Sequence, residues 1–153
     1  MKVKEIMIRD VISLKPQDNI IDALLKLFRI KISGLPVIDE EGKLVGMLTE
    51  KDILTYILPS YIEKVGRFIY EENPKSTKKK FTELQTARVL QIMRKDVVST
   101  TEEVTLCEVA RLMLTQRARR LPVIDKQGQV VGIIARCDVL KALAKEAEFP
   151  LAL

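Results

Sequence analysis

Leu35-Pro36-Val37-Ile38-Asp39 recurs without change as Leu121-Pro122-Val123-Ile124-Asp125. The offset is 86 residues (121 − 35), and it extends far beyond the pentapeptide. Ile6-Met7-Ile8-Arg9-Asp10-Val11-Ile12-Ser13 falls on Ile92-Met93-Arg94-Lys95-Asp96-Val97-Val98-Ser99. Gly42 falls on Gly128, Val45-Gly46 on Val131-Gly132 and Asp52 on Asp138, with no gap from Ile6 to Leu54. So many identities at one offset mark a duplication, which sets the architecture before any residue is read for function.

Each copy has the same punctuation. A β-branched run, Val11–Leu14 or Val97–Thr100, predicts a first strand. A helix follows. Thr105-x-x-Glu108 is a capping box opening a helix to about Arg117, and Asn19 and Asp22 hold the matching positions in the first copy. Ile20, Ile21, Leu24, Leu27 and Phe28 recur at helical spacing. Leu-Pro-Val-Ile-Asp predicts a strand with proline near its start. Asp39-Glu40-Glu41-Gly42 and Asp125-Lys126-Gln127-Gly128 predict hairpin loops in which glycine supplies positive φ. A second strand, Lys43–Leu48 or Gln129–Ile134, and a closing helix, Glu50–Leu58 or Arg136–Ala147, complete the unit.

The predicted fold class is therefore α/β (α+β), a tandem β-α-β-β-α repeat. A unit of about 50 residues is marginal alone, so the copies are expected to pack sheet to sheet about a pseudo-two-fold axis. The expected organisation is copy one at 1–58, a linker at 59–90, copy two at 91–147 and a tail at 148–153. In the linker, Ile57, Tyr61, Val65, Ile69 and Tyr70 recur at near-helical spacing interrupted by Pro59. Glu71–Lys80 is polar and predicted mobile, and Phe81–Met93 predicts a helix. The Lys78-Lys79-Lys80 run reads as a solvated loop in preference to a phosphate contact, having no aromatic platform beside it. The apolar tail from Phe149, broken by Pro150, suits docking on a partner surface.

Composition narrows the chemistry. The chain has 153 residues, of which 47% are hydrophobic and only 5% aromatic, so its core is aliphatic. Histidine is absent, which removes Ser-His-Asp and Cys-His catalysis and most zinc sites. No P-loop and no G-x-G-x-x-G occurs. Cys107 and Cys137 stand apart, without a CxxC, and read as buried free thiols. The net charge of +5 fits an anionic ligand, nucleic acid or plain solubility. Neither a signal peptide nor a membrane span is legible, and a cytoplasmic location is the expectation.

The pattern LPVID, an acidic-x-x-Gly turn, Val-Gly and then Gly46-x-x-Thr49-x-x-Asp52 resembles the cystathionine-β-synthase (CBS) domain family, and the duplication resembles a CBS pair, or Bateman module. The resemblance implies a regulatory, non-enzymatic module with no catalytic cofactor and no metal centre of its own. It implies an adenosine-type nucleotide (AMP, ADP, ATP or an S-adenosylmethionine-like molecule, with or without magnesium) as regulatory ligand. It also implies a homodimer and a separate regulated protein. A ligand-free interaction module or a nucleic-acid partner is the alternative.

By the resemblance, Asp52 accepts ribose hydroxyls and Thr49 serves phosphate or ribose, facing Val98, Ser99, Thr100, Arg119, Arg120, Leu121 and Pro122 of the other copy. That grouping is the expected phosphate site. A second cleft would set Asp138 and Arg136 against Ser13, Leu14, Ser33 and Gly34. Thr49-x-x-Asp52 is equally a helix cap. In the second copy the cap position is Ala135 while Asp138 stays, so a reciprocal cap does not account for that aspartate, although a helix-dipole preference does.

Overall fold

The computed structural model describes residues 1–58 and 74–152. The spacing read at Pro59, Tyr61, Val65, Ile69 and Tyr70, the residues Glu71–Asn73 and the terminal Leu153 lie outside the described residues. The elements run α1 (Val3–Ile6), α2 (Ile20–Ile30), β1 (Gly34–Ile38), β2 (Leu44–Thr49), α3 (Glu50–Ile57), α4 (Pro74–Leu84), α5 (Val89–Ile92), α6 (Leu106–Thr115), β3 (Arg120–Ile124), β4 (Val130–Ala135) and α7 (Arg136–Glu146). Helices and two small two-stranded sheets, β1–β2 and β3–β4, give the mixed architecture that the repeat predicts. Gly42 and Gly128 take φ of 82° and 80° in the hairpin loops. Asn19 caps α2 through Ile21 N at 2.8 Å, and the Thr105–Glu108 box caps α6.

The predicted first strands shrink to single parallel bridges, Leu14 with Val37 and Thr100 with Val123. Leu14 N donates to the Pro36 carbonyl and its own carbonyl accepts from Ile38 N, both at 2.9 Å. Extending that ladder back to Ile12 would require an N–H from Pro36, which proline lacks. Pro122 stops the second copy's ladder in the same way.

The compact units do not follow the sequence copies. A central unit comprises Ser13–Asp39 and Val45–Asp96; a C-terminal unit comprises Met1–Ile12, Glu40–Leu44 and Val97–Leu153. In the C-terminal unit the leading segment of copy one docks on copy two: Ile8 and Ile133 exchange backbone hydrogen bonds at 2.8 and 2.9 Å. In the central unit Arg94, ahead of copy two, exchanges two with Met47 at 2.9 Å each. Glycine permits both approaches. A Cβ on Gly46 would lie 2.5 Å from Met93 Sδ and 2.8 Å from the Arg94 carbonyl; one on Gly132 would lie 2.7 Å from Met7 Sδ and 3.1 Å from the Ile8 carbonyl.

Each unit has its own core, drawn from equivalent positions. Ile20, Leu27, Leu35, Val37, Leu48, Ile53, Val89 and Met93 fill the central core. Leu106, Met113, Leu121, Val123, Ile134, Val139, Val3 and Met7 fill the other. The leading segments supply Val89 and Met93 to one and Val3 and Met7 to the other, so each core is completed by a segment that the sequence repeat assigns to the opposite copy.

Two expectations change, at the lysine run and at the cysteines. Lys78-Lys79-Lys80 is helical, within α4. Pro74 supplies a favourable first-turn residue and lysine is a good helix former, while Lys80 Nζ lies 4.9 Å from the Tyr56 ring and 3.6 Å from Glu83. Cys107 and Cys137 are exposed, because each is the second residue of a helix whose inward face is carried by Leu106, Val109 and Met113, or by Val139 and Ala142. Phe28 is exposed, the inward face of α2 being Ile20, Ala23 and Leu27.

Candidate functional site

Within each unit, three segments of the same copy meet where the second strand becomes a helix. In the central unit β2 runs into α3, and Glu50 N donates to the Ser33 carbonyl at 2.8 Å. That bond ties the helix start to the residue preceding β1, and Leu14, bridged to β1, brings in Ser13. Thr49, Glu50 and Asp52 thus share a neighbourhood with Ser13, Leu14, Ser33 and Gly34. The C-terminal unit repeats the arrangement. Arg136 N donates to the Arg119 carbonyl at 3.0 Å, Arg120 pairs with Ala135 across β3–β4, and Thr100 N donates to the Pro122 carbonyl at 3.0 Å. Val98 and Ser99 lead into Thr100; Leu121 and Pro122 are buried in β3. The expected grouping of Thr49 and Asp52 with Arg119 and Arg120 draws on both units; the hydrogen bonds described here gather the residues by copy.

The two aspartates hold their helix starts differently. Asp52 Oδ2 accepts from Thr49 N and Thr49 Oγ1, both at 2.9 Å, and Asp52 N donates back to Thr49 Oγ1 at 3.3 Å. Asp138 Oδ2 accepts from Ala135 N at 2.9 Å. Half of the box therefore survives without a hydroxyl: the reciprocal cap is absent, as Ala135 implies, but Asp138 still caps the helix start through a backbone N–H. In both residues Oδ2 is committed to the cap. Asp52 Oδ1 has no hydrogen-bond partner among the described residues, and Asp138 Oδ1 meets only Cys137 Sγ, at 3.9 Å. Both side chains are half-buried. Each site thus offers one carboxylate oxygen, held rigidly by its sister's cap, to hydroxyl donors.

Charge separates the sites. Arg119 and Arg136 are exposed and Arg120 is half-buried; none of the three is in an ion pair among the described residues. The matching central positions are Ser33, Gly34 and Glu50. Glu50 escaped the motif reading, and aligning position 50 on position 136 is the signal that finds it. No cluster able to hold a metal ion occurs among the described residues, and no helix there is long and apolar enough to cross a membrane.

Comparison with known proteins bears on this geometry. The family model for the CBS domain matches residues 3–59 and again 89–145. An uncharacterised protein of Methanocaldococcus jannaschii is 32% identical, over 94% of this chain and 91% of its own length. The inosine-5'-monophosphate dehydrogenase of the same organism is 34% identical over 92% of this chain, which spans only 23% of the enzyme. Among solved structures, CBSX2 in complex with AMP superposes with a TM-score of 0.74 at 27% identity, covering 95% of this chain and 98% of that one.

Proposed function

The chain belongs to the CBS-domain family, and from that premise we propose that it is a regulatory module that binds an adenosine nucleotide at one or both of its sites and acts on a separate protein. The observation that carries the reading is the pair of equivalent, part-buried aspartates whose Oδ2 is locked in a helix cap while, among the described residues, Oδ1 has no partner in Asp52 and meets only the Cys137 thiol, at 3.9 Å, in Asp138. Vicinal ribose hydroxyls are the donors that such an oxygen suits. The AMP complex of CBSX2, of similar fold throughout, supports adenosine as the ligand. Bound ligand would bias the chain toward whichever arrangement it contacts better, and only such a difference can signal.

The module acts as a homodimer in this reading. Leu54 and Leu140 occupy equivalent positions on α3 and α7, Phe28 and Leu114 equivalent positions on or beside α2 and α6, and all four are exposed. Repeated apolar exposure of this kind marks an interaction surface.

Thermal unfolding of the purified chain with AMP, ADP, ATP and S-adenosylmethionine tests the proposal. A ligand at about 100 times its Kd adds about 2.7 kcal/mol. The midpoint should rise by several degrees with at least one adenosine ligand and rise less in Asp52→Ala. No rise with any of them counts against an adenosine sensor and favours a ligand-free interaction module.

A further inference from the structure

We propose that the two sites select differently charged ligands: the C-terminal site takes an adenosine nucleotide with a 5′-phosphate, the central site an adenosine whose 5′ end carries no negative charge. This rests on the adenosine reading above. The difference originates in one size-coupled pair of residues. A Cβ at Gly34 would lie 2.7 Å from Thr49 Cγ2 and 3.1 Å from the Leu48 carbonyl. While Thr49 stands at the cap, position 34 is confined to glycine. The second copy has Ala135 in place of that threonine, so the methyl is gone, and the position across the ladder bears Arg120. Losing the hydroxyl cap and gaining a guanidinium are thus a single linked change.

The consequence is electrostatic. Arg119, Arg120 and Arg136 stand on backbone positions joined by one strand pairing and one hydrogen bond, in no ion pair among the described residues, with Asp138 as the nearby carboxylate. Guanidinium groups bind phosphate bidentately, and the start of an eleven-residue helix adds to the positive field. The central site presents Glu50 and Asp52, with Lys51 between them and Lys26 Nζ held on the Ser13 carbonyl at 2.8 Å, and no arginine at the equivalent positions. A phosphate there meets two lysines already balanced by two carboxylates and no guanidinium fork, whereas ribose hydroxyls need neither.

Calorimetric titration of adenosine and AMP into full-length Asp52→Ala, which keeps the C-terminal site, and Asp138→Ala, which keeps the central one, tests the assignment. The C-terminal site should prefer AMP by about tenfold or more, the scale of one charge-assisted hydrogen bond; the central site should bind the two about equally or favour adenosine. Adding Gly34→Arg with Thr49→Ala to the Asp138→Ala chain should transfer the AMP preference to the central site. Should that chain melt early, Arg119→Gln with Arg120→Gln in Asp52→Ala gives the same information, with AMP affinity falling to that of adenosine and adenosine affinity unchanged. Both ligands binding with one common AMP-to-adenosine ratio at the two sites would overturn the inference and leave the adenosine reading standing. Binding of neither ligand to the unmodified chain would overturn both.

Discussion

The two sites share a backbone and differ in nearly every exposed side chain. Ser33-Gly34, Thr49 and Glu50 in the central unit become Arg119-Arg120, Ala135 and Arg136 in the C-terminal unit, while the aspartate, the strand pairing and the helix start stay put. What persists is what holds the chain in place: the carboxylate that caps a helix, and the glycines at 46 and 132 that let a third segment approach. What varies is what faces outward. Position 34/120 belongs to both groups, since its freedom depends on the methyl opposite.

The largest effect that separates the halves should come from the close approaches. Gly46→Ala should cost about 2–3 kcal/mol and Gly132→Ala about 1–2, in the range of overpacking a tight contact. The ranking follows from the backbone: the added methyl would meet the Arg94 carbonyl at 2.8 Å in one and the Ile8 carbonyl at 3.1 Å in the other. Denaturant unfolding of the two variants measures it, and equal costs would break the argument from geometry.

Next comes the size-coupled pair. Gly34→Arg alone should destabilise by about 1–2 kcal/mol, and adding Thr49→Ala should recover part of it despite the lost cap. A double-mutant cycle should give a coupling of at least about 0.5 kcal/mol. In the other half, Ala135→Thr should bring no capping gain until Arg120→Gly is added. Additivity in both cycles would mean that the two positions changed independently.

The smallest effect is one of pH. Glu103 accepts from Lys2 and Lys4 at 2.6 Å each, and hydrogen bonding to Lys2 and then to Lys4 holds its carboxyl down to about 2 from 4.5. A depressed acid contributes stability above its unfolded value and loses it as the pH falls, here between about 4.5 and 2. At the equivalent place in the central unit, Arg88 donates to the Gln17 carbonyl at 2.8 Å, a bond indifferent to acid. Acid titration followed by circular dichroism should therefore separate the parent chain from Glu103→Gln above pH 4.5 and bring them together near pH 2; the pair is exposed, and the gap should be small and shrink with salt.

Much of this was legible without coordinates. The duplication, both hairpin loops and the caps at Asn19 and Thr105 follow from residues whose local preferences leave few alternatives. The exchange of leading segments was hidden by the duplication itself. Met7 and Met93 are equivalent, as are Gly46 and Gly132, so either segment matches either strand and sequence proximity points the wrong way. An interior glycine in each second strand signals a close backbone approach but not whose backbone approaches. Polarity alone does not tell a loop from a helix at Lys78-Lys79-Lys80, since a helix presents lysines to water equally well. At the site, the motif located the aspartates, while the contrast between Glu50 and Arg136 emerges only when the copies are laid against each other.

Equilibrium dialysis of labelled AMP against the full chain, beside Asp52→Ala with Asp138→Ala, tests the central claim, that each copy builds an adenosine site around its aspartate. The account predicts saturable binding to the unmodified chain and its loss in the double variant, with melting showing the variant folded. Undiminished binding in the double variant, or none in the parent, would contradict it.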